Sequence, residues 1–175
     1  TKTGIFKSKI LNTNLKFNFE YDNKKFKIFN SYFRNRNLSF NNESLITLVP
    51  FFEIKTNLEL KEFKFKIFEK INFEKLIKHK DVIKKINSKN TITYKPKGYS
   101  KTLIDNLNLQ VNLENGRLFY KKKILSSKNH FECEGNLDAP EENPLLYFDC
   151  FMLINNKKQL LKKFSINIKK NNDIL

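Results

Sequence analysis

Residues 107–122 read LNLQVNLENGRLFYKK, and the fold turns on how they are read. Leu107, Leu109, Val111 and Leu113 alternate with Asn108, Gln110, Asn112 and Glu114, and after Asn115-Gly116 the alternation resumes with Leu118 and Tyr120. A period of two belongs to a strand with one dry and one wet face. Asn-Gly between two such runs supplies the positive-φ residues of a tight hairpin turn. The stretch therefore predicts two antiparallel strands whose dry face must meet either another sheet or something that is not protein.

The same plan recurs on both sides of it. In NLKFNFEYDNKKFKIFNSYFRNRNLSF, Leu15, Phe17, Phe19 and Tyr21 alternate, Asp22-Asn23 turns, and Phe26 and Ile28 begin a return. Further on, Phe131, Cys133 and Gly135 oppose Glu132 and Glu134 across a strand. In LLYFDCFMLINNKKQLLKKFSINI, Phe148, Cys150 and Met152 share one parity before an Asn155-Asn156 turn and a second returning strand. Between these blocks, Phe52, Ile54, Thr56, Leu58 and Leu60 alternate with Glu53, Lys55, Asn57, Glu59 and Lys61.

One segment breaks the rhythm. Phe73, Leu76, Ile77, Ile83 and Ile86 fall near helical spacing, with Asn72 as a cap and Lys84 and Lys85 suited to a last turn, so one or two helices are expected around residues 72–88 within an insertion of about 67–89. YKPKGYS, residues 94–100, then reads as a loop. The expected fold class is mainly β. It is a curved antiparallel sheet, a β-groove or taco-like meander, forming a single domain over residues 1–175 or a piece of a longer repetitive structure.

The net charge of +16 would ordinarily point to nucleic acid or anionic membrane. About one residue in seven is Asn, and Lys, Ile and Phe are similarly abundant. All four have A- and T-rich codons, so base composition accounts for much of the charge, and the lysines are spread along the chain rather than gathered. A nucleic-acid partner is not expected. The longest apolar run, around Leu45 to Phe52, is broken by Pro50 and too short to span a bilayer, so any membrane anchor is expected outside this stretch of sequence.

Catalytic motifs are missing: no phosphate-binding glycine loop, no nucleophile elbow, and two histidines, His79 and His130, with no nucleophile beside them. His130 shares a face with Glu132 and could interact with it. The carboxylates Glu132, Glu134, Asp138, Glu141 and Glu142 lack the tight ligand alternation and glycine of a calcium loop. Cys133 and Cys150 form no metal-ligand pattern; a hairpin near Glu141 would bring them nearly opposite, where a disulfide and two buried thiols are equally open. No enzyme, cofactor or metal is expected. What remains is the apolar face, with eighteen phenylalanines in the chain and no tryptophan.

From Thr91 to Ile168 the order of elements, carried by IDNLNLQVNLENGRLFYKKK, FECEGNLD and PLLYFDCFMLINNKKQLLKKF, resembles the C-terminal part of AsmA-like proteins, including TamB-like relatives, of AT-rich alphaproteobacteria. The resemblance implies a periplasmic, inner-membrane-tethered β-groove that handles phospholipid between the two membranes or maintains the outer envelope. Acyl chains would then lie on Leu107, Leu109, Val111, Leu113, Leu118, Tyr120, Phe131, Cys133, Phe148, Cys150 and Met152. The alternative is a structural or adhesive β-sandwich that buries the same residues between two sheets and binds no small ligand.

Overall fold

Alternation becomes strand wherever the structure can be followed. The computed structural model describes residues 1–64, 84–96, 103–138 and 145–166. They form β1 (Lys2–Ile10), β2 (Thr13–Tyr21), β3 (Lys25–Arg34), β4 (Leu38–Thr47), β5 (Glu53–Phe63), β6 (Asn87–Tyr94), β7 (Asn106–Glu114), β8 (Arg117–Ser126), β9 (Asn129–Asp138) and β10 (Leu146–Leu153), followed by a short helix α1 (Lys157–Lys163). All ten strands belong to one curved, open sheet, and their order across it is their order in the sequence. The two-sheet sandwich is not how these residues are arranged.

Local chemistry explains the meander. Asp22 accepts from the backbone N–H groups of Lys24 and Lys25 at 2.8 and 2.7 Å, turning β2 into β3, and Asn35 does the same for Asn37 and Leu38 between β3 and β4. Asn115 and Gly116 both take positive φ, 50° and 85°, which closes the β7–β8 hairpin as its sequence requires. Ser127 and Lys128 make the β8–β9 turn with φ of 51° and 65°, a conformation that costs these residues more than it costs Asn-Gly. Compensation comes from outside the turn. The Asp105 carboxylate accepts from the Ser127 N–H, and the fully buried Asn129 amide donates to the carbonyls of Ser126 and Ser127.

Two elements differ from the sequence expectation. Residues 67–83 of the expected helical insertion lie outside the described residues, but Lys84 and Lys85 form a turn and Asn87 already begins β6. Thr91, Ile92, Thr93 and Tyr94 are β-branched or aromatic, and they pair with β7. The insertion has a topological result. β6 runs parallel to β5, whereas every other neighbouring pair is antiparallel, because a parallel return needs a long crossover.

The second difference follows β10, where the segment after Asn155-Asn156 is not a returning strand. Asn156 caps α1, its side chain accepting from the Gln159 N–H at 2.9 Å, and Lys162 and Lys163 occupy the last turn, where the helix dipole favours cations. The helix is pinned back to the sheet. Asn129 exchanges hydrogen bonds with the Asn156 backbone, Asn155 donates to the Lys128 carbonyl, and Lys163 reaches Asp105 at 2.7 Å.

The core is small. Leu60, Tyr94, Ile104 and Leu107 are buried, with Leu38, Phe40, Phe63, Ile92, Leu103, Leu109 and Ile124 packed around them.

Candidate functional site: the apolar face

Residues paired directly across a sheet lie on the same face, so the register sorts the dry face into rows running perpendicular to the strands. One row is Leu15, Phe33, Phe40, Leu60, Tyr94, Leu107, Ile124, Phe131 and Met152, apolar from β2 to β10. At about 4.8 Å per strand it extends for about 38 Å. The next row is Ser31, Asn42, Leu58, Ile92, Leu109, Lys122, Cys133 and Cys150. The third holds Phe19, Ile28, Ser44, Thr56, Asn90, Val111, Tyr120, Gly135 and Phe148; the fourth holds Tyr21, Phe26, Ile46, Ile54, Ser88, Leu113, Leu118, Leu137 and Leu146.

All eleven residues expected to line the apolar face lie in these rows, on one side of β7 to β10. Leu107 differs from the rest in being buried in the core, 8% exposed. Phe148 and Met152 stand at the other extreme, 65% and 54% exposed. Cys133 and Cys150 pair directly and are joined by a disulfide, with Cα atoms 4.1 Å apart, so the strand at the sheet's edge is covalently held to its neighbour.

The face is not uniform. At its centre Ser44 bonds Asn42 and Thr56, while Asn90 bonds Ser88 and the Val111 carbonyl, making a polar island on β4 to β6. Toward β1 the surface is aromatic: Phe17, Phe19 and Phe26 cluster with ring centroids 5.5 to 6.0 Å apart, and Phe33 stacks on Phe40 at 5.4 Å. On β7 to β10 every position in the four rows is apolar, cysteine or glycine except Lys122. Sequence reading missed Lys122, Ile124, Leu137 and Leu146 as members of this surface. Parity alone would have found them, by continuing Leu118 and Tyr120 to Lys122 and Ile124, Cys133 and Gly135 to Leu137, and Phe148 back to Leu146.

Aromatic rings also fill the places that glycine leaves. Tyr120 lies over Gly135, its Cε1 2.9 Å from where a Cβ would stand, and Phe19 lies over Gly4 in the same way at the other end of the sheet.

On β8 and β9 the wet face carries the charge, whereas on β10 it too is apolar and exposed, at Tyr147, Phe151 and Leu153. Lys121 bridges Glu134 at 2.8 Å and Glu132 at 3.2 Å, Lys123 meets Glu132 at 2.9 Å, and Arg117 meets Asp138 at 3.1 Å. Glu132 is thus engaged by lysines rather than by His130. Hydrogen bonds donated to Glu134 and Glu132 raise the Lys121 pKa, and those accepted from Lys123 and Lys121 lower that of Glu132. These groups are solvent-exposed, so they set solubility and register more than stability. A hollow of about 530 Å³ is lined by Gln110, Phe119, Lys121, Glu134, Asn136 and Tyr147 among others, a mixed polar and aromatic lining with no arrangement of nucleophile and base. Among the described residues no group of His, Cys, Asp or Glu is placed to hold a metal, and no helix is long and apolar enough to cross a membrane.

Comparison of the chain with protein-family models, with curated proteins and with solved structures finds no match.

Proposed function

We propose that this chain is a non-enzymatic lipid-handling surface of the AsmA-like kind, on which phospholipid acyl chains lie along the dry face of β7 to β10. One observation carries the reading: the apolar rows of these strands extend to an edge where Leu146, Phe148 and Met152 are 54 to 65% exposed, with no second sheet over them among the described residues. Contiguous exposed apolar surface of this kind on a soluble protein marks a site of contact with ligand, partner or membrane. Acyl chains suit it because the surface is long, aliphatic and aromatic, and nearly devoid of directional polar groups. Burying each methylene contributes about 0.8 kcal/mol, so a partial chain gives useful affinity before ordering costs. The Cys133–Cys150 bond suits an oxidising compartment, which supports placement in the periplasm, with the protein tethered to the inner membrane.

The test is to purify the chain without detergent, extract with organic solvent and identify co-purifying lipid. A photoactivatable acyl probe should label β7 to β10. Extracts free of lipid together with labelling confined to the wet face would refute the proposal.

A further inference from the structure

Residues 121–123 are three consecutive lysines in β8, and strand geometry separates them. Lys121 and Lys123 point to the wet face and are held by Glu132 and Glu134. Lys122 points to the dry face. Its partners across the strands are Leu109 and Cys133, and two residues away along its own strand stand Tyr120 and Ile124. It is half-buried, no carboxylate occupies the four rows, and among the described residues no ion pair or hydrogen bond holds its ammonium.

A lysine whose strand position is flanked on four sides by Leu109, Cys133, Tyr120 and Ile124, while its sequence neighbours have two carboxylates between them, is a place where negative charge is wanted from outside. We infer that the ligand of this face is an anionic amphiphile, with a phosphate or carboxylate head group on Lys122 and its tail over Ile124, Phe131 and Met152. This rests on the acyl-binding reading above and adds the charge class of the ligand. The surroundings select against a free anion, which would be desolvated there with no apolar gain, and against a neutral amphiphile, which would leave the ammonium unpaired.

The whole chain carries +16, so any anionic lipid is attracted without a site, and the test must remove that background. Lys122→Met and Lys123→Met each remove one positive charge, from opposite faces of the same strand. Their affinities, with those of the unaltered chain, are measured for dodecyl phosphate, dodecylphosphocholine and dodecyl maltoside at about 0.15 M salt, where long-range attraction is screened. The unaltered chain should prefer dodecyl phosphate to the other two by about tenfold, the scale of one charge-assisted hydrogen bond. Lys122→Met should abolish the preference while leaving dodecyl maltoside binding intact; Lys123→Met and Lys122→Arg should keep it. Inorganic phosphate should not displace dodecyl phosphate at equal concentration.

Equal losses in the two methionine variants, no preference in the unaltered chain, or displacement by inorganic phosphate would each overturn the inference while leaving the acyl-binding reading in place. Failure of all three amphiphiles to bind would instead remove that reading and this inference with it. Thermal melts of both variants establish that each is folded.

Discussion

Gly135 is hemmed in from two directions, by the Tyr147 carbonyl of β10 and by the ring of Tyr120 from β8. Backbone cannot swing aside as a ring can. Gly135→Ala should therefore destabilise by about 2 kcal/mol, the usual scale of overpacking, and loosen the edge strand. Gly4→Ala is the matched comparison, because the atoms its Cβ meets are the far end of the Phe19 ring on a more open surface. Its cost should be under about 1 kcal/mol. Thermal denaturation of the two variants side by side checks the difference, and an equal loss at both sites would mean that Tyr147 does not constrain Gly135.

At the scale of elements, the C-terminal strand and helix are attached by few links, and each can be cut separately. Reducing the Cys133–Cys150 bond, or replacing Cys150 by Ala, removes a cross-link between residues 17 apart, which chain entropy values at about 3 kcal/mol. Melting with and without reductant measures it; no shift would show that β10 is held without the bond. The second link is pH-dependent. Burial pushes the Asp105 carboxyl up, but the Lys163 hydrogen bond, the Ser127 N–H and the Lys163 charge outweigh it and bring the pKa below its ordinary 3.8. Folded Asp105 therefore binds a proton less readily than unfolded Asp105. Its stabilisation is complete above the ordinary value and fades as pH falls through 3.8 toward the lowered folded value. Amide exchange should show α1 loosening selectively under these acidic conditions, and Asp105→Asn should make α1 exchange insensitive to pH there.

These elements also mark how far sequence carries. The alternation of Leu107 to Leu113, the turns at Asp22 and Asn115-Gly116, and the parity of Phe131 with Cys133 were all readable, because a period of two admits one face assignment. The start of β6 was not, since Ile86 falls at helical spacing from earlier apolar residues and only the pairing with β5 and β7 places Asn87 to Lys89 in the sheet. Helix α1 was concealed by the strand before it, although Asn156 followed three residues later by Gln159 is a capping pattern. Lys122 is concealed in sequence by the lysines on either side of it, because composition sets the charge of the chain as a whole whereas strand parity sets the face residue by residue.

For the whole molecule, the question is whether the dry face is surface or interior. Val111 is half-buried, between Asn90 and Tyr120. Val111→Asp should lower stability by about 1 kcal/mol and abolish acyl-probe labelling, since a carboxylate on an open face keeps much of its hydration. A closed core would react differently, unfolding outright around the unpaired charge. Thermal melting together with probe labelling decides between them, and global unfolding of the variant would assign the face to the interior.

Strand order that follows sequence order, broken by a single parallel pairing, divides the sheet into two meanders of five strands, β1–β5 and β6–β10. Within each, every strand's substantial strand contacts are with its neighbours in the chain, so each half can assemble from local hairpins with little loop-closure entropy. Among the described strand pairings, the β5–β6 seam alone joins segments separated by a long crossover. The buried core straddles that seam, with Leu60 contributed by the first meander and Tyr94, Ile104 and Leu107 by the second. Joining the halves and forming the core are therefore one event, and the cooperativity of the protein resides there, while the outer strands fray by degrees toward either edge.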